Sequence, residues 1–308
     1  MASNSSILKT LIYSDVFDYP LTKEEIWKFL IGKNINKDSF EKELNRLVRF
    51  EATPLGCNRN LYYLLGREEI IQKRIKRKKE SRKKLEAAKK IIRTFSLIPT
   101  VLFVGISGGL ALENSDGADD IDLFVITSKN TLWITRLTLV LLLKLMGQYR
   151  GRGNPKVSGE SNKICLNMLI NEKGLMFEKS RQNLYTAHEI AQLKPIFDRN
   201  NTYREFMNAN RWVSKFLPNA MDRIRNYESS QRPGFEGQAR VMRKENPLFI
   251  IHYSLFILES IAKVFQLWYM KKHRTKETIS DHMLAFHPFE YKDYVLGEYN
   301  KRMKRYEV

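Results

Sequence analysis

The 308-residue chain contains little cysteine. Its two cysteines, Cys57 and Cys165, are far apart, and neither belongs to a CxxC pair or to another metal-ligand spacing. This scarcity excludes a zinc knuckle and a disulfide framework, and it fits a reducing compartment. The N-terminal segment also lacks the basic start and the apolar run of a signal peptide. We therefore expect a cytoplasmic protein.

The chain also has few long hydrophobic runs. The stretch from Leu137 to Met146 is far shorter than the roughly 20 residues that a bilayer requires, and it contains Lys144. The stretch from Pro247 to Met270 is long enough, but four polar residues recur on one helical face: His252, Glu259, Lys263 and Gln266. We therefore expect a buried helix and an amphipathic helix docked in a core, with no membrane span.

Acidic residues are scarce relative to basic ones. The sequence has 34 Asp and Glu against 53 Lys and Arg, which gives a net charge of +19 and an isoelectric point near 9.8. An apolar content of 43% with abundant aromatic residues excludes a disordered chain. The basic excess predicts a polyanionic partner, with DNA or RNA as the leading candidate, although an ordinary basic surface gives the same number.

The first unit, residues 1–70, has the pattern of three helices and a hairpin. The segments 22–25 and 38–41 each have the form of a capping box, which predicts two helix starts. Residues 49–65 predict a hairpin with its turn at 54–56. This order of elements resembles a winged-helix domain.

Residues 71–95 predict a basic helix that links the first unit to the next. Between positions 71 and 93 the sequence has twelve Lys or Arg, two Glu, and neither Gly nor Pro. Two interpretations stay open. The helix either lies along a phosphate backbone, or it is a connecting helix whose charges face water.

Residues 96–183 change to a strand and helix pattern. Short apolar runs rich in β-branched residues predict strands at 100–104, 121–127 and 163–170. A helix is predicted at 131–146, followed by a glycine-rich basic loop at 147–159.

The last unit, residues 184–308, has the pattern of helices throughout. The predicted fold class is therefore α+β, with a small mixed sheet in the middle of the chain. An N-terminal winged-helix-like domain and a C-terminal helical domain flank it.

The chemistry-bearing motif lies between the first two predicted strands. The turn Ser107-Gly108-Gly109 opens a short helix, and glycine there lets the backbone approach a phosphate closely. In Asp120-Ile-Asp122 the alternation of a strand sends both carboxylates to one face, where they offer hard oxygen ligands to Mg²⁺. The motif predicts phosphate binding at the glycine turn and metal binding at the aspartates.

The combination of strand, Gly-Gly turn, short helix and Asp-x-Asp resembles the signature of the nucleotidyltransferase superfamily that includes polymerase-beta-like enzymes. The resemblance covers about residues 96–170. It implies a nucleotidyltransferase domain in which Ser107, Gly108 and Gly109 contact the nucleotide. It also implies that Asp120 and Asp122 are catalytic and bind Mg²⁺ or Mn²⁺, with a nucleoside triphosphate as substrate.

The sequence departs from that family pattern at two positions. Gly109 replaces a serine found in many relatives. The third carboxylate of such enzymes falls on the strand at 163–170, where the polar face offers Cys165 and Asn167. Asn167 is the candidate for that position, although an amide cannot act as a base at neutral pH. Three nearby glutamates are alternative candidates: Glu160, Glu172 and Glu178.

Other polar residues carry weaker signals. Arg136 lies on the helix that follows the Asp-x-Asp strand. It could contact a triphosphate, but we favour the interpretation that it is an ordinary surface arginine. Arg181 and His188 have the Arg-x6-His spacing of some ribonuclease partners of nucleotidyltransferase antitoxins, for which coincidence is the better explanation. His282 and His287 have no ligand set at metal spacing, so a structural role is predicted.

Three functional hypotheses follow. The first is a metal-dependent nucleotidyltransferase that moves a nucleoside monophosphate to a hydroxyl acceptor. The second is a catalytically weak or inactive nucleotidyltransferase-fold regulator that binds nucleic acid through the winged-helix-like unit and the basic helix. The third is a Mn²⁺-dependent glycosyltransferase, because Asp-x-Asp also holds nucleotide-sugar diphosphates, but this hypothesis does not account for the Gly-Gly turn.

Overall fold

The computed structural model describes residues 2–49, 53–150, 162–221, 248–271, 278–286 and 289–306. Within these ranges the chain is α+β, with ten α-helices, a six-stranded mixed sheet and a separate two-stranded antiparallel sheet. The predicted α+β class is confirmed.

The N-terminal elements come in the predicted order of three helices and a hairpin. They are α1 (Ala2–Asp15), α2 (Lys23–Lys28), α3 (Lys37–Arg49), β1 (Leu55–Asn58) and β2 (Leu61–Leu64). Helix α2 begins with the predicted capping box, in which Thr22 Oγ1 accepts from Glu25 N and the Glu25 carboxylate accepts from Thr22 N. Two hydrogen bonds between Leu21 and Tyr62 attach the segment before α2 to the hairpin.

Two local predictions in this unit are wrong. The hairpin turn lies at Arg59 and Asn60 instead of 54–56, because both residues adopt the positive φ that a two-residue turn requires, 52° and 59°. The second capping box does not form, because α3 begins before it. Asn36 Oδ1 instead accepts from Ser39 N at 2.8 Å at the start of that helix.

The predicted basic helix is present as α4 (Glu69–Phe95), which has two different sides. Its inner side packs Leu85, Ala88 and Ile92 into a core. Its outer side exposes eight of the twelve basic residues: Lys73, Lys76, Lys78, Lys79, Arg82, Lys83, Lys90 and Arg93. Two cations, Arg74 and Lys84, are buried instead.

The six-stranded sheet is built from distant parts of the chain. Its strands are β3 (Val101–Ile106), β4 (Ile121–Thr127), β5 (Ile164–Asn171), β6 (Lys194–Asp198), β7 (Thr278–Ile279) and β8 (Met283–Ala285). They lie in the order β6-β3-β4-β5-β8-β7. Only β4 and β5 are parallel, and the connection between them includes α6 (Leu132–Leu145). The short helix α5 (Gly108–Ala111) connects β3 towards β4.

The prediction that residues 184–308 are all helical is wrong. This region contributes α7 (Leu184–Gln192), α8 (Thr202–Ala209), α9 (Leu248–Lys271) and α10 (Phe289–Arg305), but it also contributes β6, β7 and β8. These strands have five, two and three residues, which is too short for the alternation that identifies a strand in sequence. The region therefore supplies both edges of the sheet, with β6 at one edge and β8 followed by β7 at the other.

Helix α9 packs on α6, but the predicted docking of its apolar side in a core is wrong, because the polar residues Glu259 and Gln266 face α6 instead. The carboxylate of Glu259 accepts from Trp133 N and Ile134 N, both at 2.8 Å, at the start of α6. The opposite side of α9 is exposed and apolar, and it carries Phe256, Ile261, Val264, Phe265, Trp268 and Tyr269. Across the described ranges no helix is both long and apolar enough to cross a membrane.

The sheet separates two hydrophobic cores. Its front face carries Phe103, Phe124 and Ile170, and these pack with the N-terminal unit, α7, α8 and α10. Its back face carries Val104, Leu123 and other aliphatic residues, which pack with α4 and α6. The predicted basic loop at 147–159 is described only to residue 150, and the remainder lies outside the described residues.

Candidate functional site

Two carboxylates meet at one end of β4. Asp120 precedes the strand and Asp122 lies within it, while Ile121 between them packs into the back core. The alternation of the strand therefore places both aspartates on the front side. A carboxylate oxygen of each and the sulfur of Cys165 all lie within 4.8 Å of one another.

The glycine turn contacts this pair directly. Ser107 N donates to Asp122 O at 3.0 Å, which joins the end of β3 to β4. Gly108 has φ +62°, and a Cβ at that position would lie 3.1 Å from Asp122 Oδ2. A Cβ on Gly109 would meet Asn114 O at an ordinary 3.5 Å. Gly108 is therefore the position where the absence of a side chain matters most, because it lies against the carboxylate in a left-handed conformation.

A buried lysine holds the loop that precedes Asp120. Lys84 Nζ, on the inner side of α4, donates to Asp119 O at 2.6 Å, to Asp116 O at 2.5 Å and to Ser115 Oγ at 3.2 Å. Burial lowers the pKa of Lys84, and the nearby aspartates oppose that shift. Sequence reasoning missed this role because Lys84 lies within a run of similar cations.

An arginine at the edge of the predicted basic loop pairs with the site. One Arg150 guanidinium nitrogen lies 2.7 Å from Asp120 Oδ2 and 3.5 Å from Cys165 Sγ. The backbone N–H of Arg150 donates to Ile164 O at 2.9 Å, which fixes the residue beside β5. This cation was also missed, since nothing in a glycine-rich loop indicates which basic residue folds back.

The third member of the cluster is Cys165, and the prediction for Asn167 stays a prediction because an amide is not among the ligand types in this cluster. Cys165 is the partner of Asp122 in the β4–β5 register. Burial, together with the charges of Asp122 and Asp120, raises the pKa of the Cys165 thiol well above its usual range. Sulfur is a soft ligand, and hard cations such as Mg²⁺ prefer oxygen.

No third carboxylate joins the pair among the described residues, where Asp120, Asp122 and Cys165 form the one group of His, Cys, Asp or Glu at metal spacing. Glu172 instead accepts from Lys129 N at 2.7 Å. Glu178 is absent from the cluster, and Glu160 lies outside the described residues.

The donor set fits a magnesium ion even without a third carboxylate. Mg²⁺ is commonly held by one or two protein carboxylates, with water and substrate phosphate supplying the other oxygens. Asp120 and Asp122 provide such a pair. The Arg150 guanidinium competes for Asp120, since both cations would contact the same carboxylate.

Two of the residues with weaker signals are buried elsewhere. Arg136 is not a surface arginine, because it is 9% exposed, bonds to Gln266 and lies over the ring of Phe286. His188 stacks on Tyr13 with ring centroids 3.9 Å apart, and burial lowers its pKa to about 3. His287 lies outside the described residues.

Comparison with protein-family models, with curated proteins and with solved structures finds no match to this chain. The function must therefore be argued from the residues and geometry of the site.

Proposed function

We propose that this chain is a metal-dependent nucleotidyltransferase that moves a nucleoside monophosphate from a nucleoside triphosphate to a hydroxyl acceptor. The observation that carries the proposal is the contact between the glycine turn and Asp122, with Asp120 beside it. A phosphate bound by the turn at Gly108 and Gly109 would lie next to both carboxylates. This is the juxtaposition that nucleotidyl transfer needs.

The transfer would form one bond and break one. The acceptor oxygen bonds to the α-phosphorus of the nucleotide, the bond from that phosphorus to the oxygen bridging the β-phosphorus breaks, and pyrophosphate leaves. The acceptor proton is released to water. A Mg²⁺ or Mn²⁺ ion held by Asp120 and Asp122 would neutralise the charge that develops on the phosphates. Ser107, Gly108 and Gly109 would position the triphosphate.

The test is transfer from nucleoside triphosphates labelled at the α-phosphate, with Mg²⁺ or Mn²⁺ and a panel of hydroxyl acceptors. We expect label on an acceptor with the wild-type chain. Replacement of either carboxylate by its amide, Asp120→Asn or Asp122→Asn, should reduce transfer by roughly three orders of magnitude, because several kcal/mol of stabilisation depend on the ion.

Asp281→Asn is the matched control, because the same chemical change falls on an exposed side chain that pairs only with the surface residue Lys263 among the ion pairs observed. It should retain full transfer. Transfer that persists after both site substitutions would refute the assignment of Asp120 and Asp122.

A second function is favoured by a different observation. The cluster contains a cysteine thiol in place of a third carboxylate, and Arg150 pairs with Asp120. These features suit a nucleotidyltransferase-fold regulator that binds nucleotide with little or no turnover. Metal-dependent nucleotide binding without transfer to any acceptor would support this alternative over the first.

Nucleic acid is the proposed macromolecular partner under either function. Helix α3 of the winged-helix-like unit exposes Lys42, Asn45, Arg46 and Arg49, and α4 exposes its eight cations. Retention of DNA or RNA should weaken steeply with salt. If Arg46 contacts a phosphate, Arg46→Ala should reduce the slope of log affinity against log salt by about one. An unchanged slope would show that Arg46 of α3 does not contact the nucleic acid.

A further inference from the structure

A cavity of about 110 Å³ lies on the front face of the sheet. Phe124 and Met168 of the sheet line it, together with Phe206 of α8 and Ile190 of α7. Ser107 and Asn167 form the side that faces the candidate site. Apolar groups supply most of the cavity surface, although charged side chains such as Arg181, Glu189 and Lys292 also line it.

A β-bulge places Asn167 and Met168 side by side in the lining of this cavity. Asp122 pairs with Cys165, but Phe124 pairs with Met168, so β5 has one more residue than β4 across this interval. As a result Asn167 and Met168 both line the cavity, although neighbouring residues of a regular strand point to opposite faces. The bulge thus adds a polar side chain to an apolar surface.

The side-chain oxygen of Asn167 has an unmet hydrogen-bonding capacity. The residue is 4% exposed, and its Nδ2 donates to Ser107 Oγ at 3.5 Å. Its Oδ1 is buried and accepts no hydrogen bond within the described part of the chain. A buried acceptor without a partner is unfavourable, and a ligand that donates a hydrogen bond would satisfy it.

We propose that this cavity binds the acceptor of the transfer, a small molecule with a hydroxyl group on an apolar body the size of one ring. Asn167 Oδ1 accepts from the hydroxyl, and the body packs against Phe124 and Phe206. The volume of about 110 Å³ suits one ring. The assignment of this ligand as an acceptor rests on the proposed function.

The cavity is connected to the site through Ser107. Ser107 Oγ lies 3.5 Å from Asn167 Nδ2 and 3.4 Å from the backbone oxygen of Asp122. A hydroxyl at Asn167 is therefore beside the glycine turn and one strand away from Asp122. Asn167 positions the hydroxyl without taking its proton, because an amide is not a base at neutral pH.

The test is binding of two probes that differ by one hydroxyl, 4-fluorophenol and fluorobenzene, to the full chain by fluorine NMR without nucleotide or metal. A purely apolar cavity would favour fluorobenzene, which is the more hydrophobic probe. We expect 4-fluorophenol to bind about tenfold more tightly, the equivalent of roughly 1.4 kcal/mol for one hydrogen bond. Equal binding, or no binding of either probe, overturns the proposal.

Asn167→Leu should reverse the preference, since it keeps a similar size but removes the acceptor oxygen. Thr186→Trp provides a second variant from α7, because Thr186 lines the cavity at a half-buried position and a larger side chain would fill the space. Both probes should lose binding to it. A preference for 4-fluorophenol that survives Asn167→Leu would contradict the role of Asn167.

The probe experiment is independent of the proposed function, because it uses neither nucleotide nor metal. Selective probe binding in a chain without transfer activity rejects the proposed function alone. Transfer activity in a chain that binds neither probe selectively rejects the cavity proposal alone. Displacement of 4-fluorophenol by a short single-stranded DNA would overturn the small-molecule assignment and indicate a nucleic-acid end in the cavity.

Discussion

The front and back faces of the central sheet bury different kinds of group. The back face is filled with aliphatic side chains such as Val104, Leu123 and Val125, which pack against α4 and α6. The front face combines aromatic residues with the aspartate pair, Asn167 and a cavity. Neighbouring residues of β4 illustrate the division, since Leu123 lies in the back core and Asp122 in the site. Both faces therefore bury a hydrophobic core, and the front face also carries the chemistry.

The largest expected effect is on the back face. Leu123→Ala removes a fully buried side chain, and the lost burial and the cavity that remains should lower the free energy of unfolding by about 4 kcal/mol. Asp122→Asn, one residue away, should change it by less than about 1 kcal/mol. Urea unfolding of both variants measures the contrast. A larger loss from Asp122→Asn would show that the site also holds the sheet together.

The second-largest expected effect is a loss of stability at low pH, which originates at a buried histidine on the front side of the sheet. The pKa of His188 falls from its ordinary value of 6.5 to about 3 in the fold, because burial opposes its charged form. The unfolded chain therefore binds a proton that the folded chain does not, and stability falls as the pH drops below 6.5. Between pH 6.5 and pH 4 the loss should be roughly 3 kcal/mol.

His188→Phe is the matched variant for this effect, because a phenyl ring can still stack on Tyr13 but does not titrate. The variant should lose less stability than the wild type over the same pH interval. Unfolding curves at both pH values measure the difference. Parallel losses in the two proteins would show that His188 is accessible to protons in the folded state.

A smaller effect concerns the lysine that joins the back core to the site. Lys84→Met should lower the free energy of unfolding by about 2 kcal/mol, because Asp116 O and Asp119 O lose a charged donor. It should also weaken metal binding, since the loop leads into Asp120. Lys83→Met is the control, because Lys83 is exposed and pairs only at the surface with Glu80. Equal behaviour of the two variants would contradict the positioning role of Lys84.

The smallest effect concerns Arg150. Arg150→Gln should tighten Mn²⁺ binding by about fivefold, because a partly exposed ion pair contributes roughly 1 kcal/mol that the metal must otherwise overcome. Electron paramagnetic resonance of free Mn²⁺ measures the change. Weaker metal binding in the variant would mean that Arg150 supports the ion site instead of competing with it.

The sequence predicted those parts of the fold that carry strong local patterns. The bounds of β4 and the helical nature of α4 follow from a short β-branched run and a long Gly-free basic segment. The juxtaposition of Gly108 with the aspartates follows from the same local motif. By contrast, β6 and β8 are too short to show a period, and their pairing with β3 and β5 depends on contacts distant in sequence.

Residues that reach the site from outside the motif were equally hard to predict. Lys84 and Arg150 are chemically identical to the many cations around them, and only the fold selects which of them becomes buried. Asn167 was identified by its alternation with Cys165, but the bulge in β5, which places Met168 beside it in the adjoining cavity, was not. A one-residue irregularity of this kind has no signal in a single sequence.

The two sides of α4 differ in how their basic residues can be substituted. Its outer cations can be neutralised as a group, which would isolate their contribution to partner affinity. Arg74 and Lys84 belong to a different category, because Arg74 is bonded to Glu25 and Lys84 to the loop before Asp120. A variant that neutralises only the outer cations would measure electrostatic attraction to a partner alone. A variant that also replaces Arg74 and Lys84 would lose structural hydrogen bonds as well, and the two effects could not be separated.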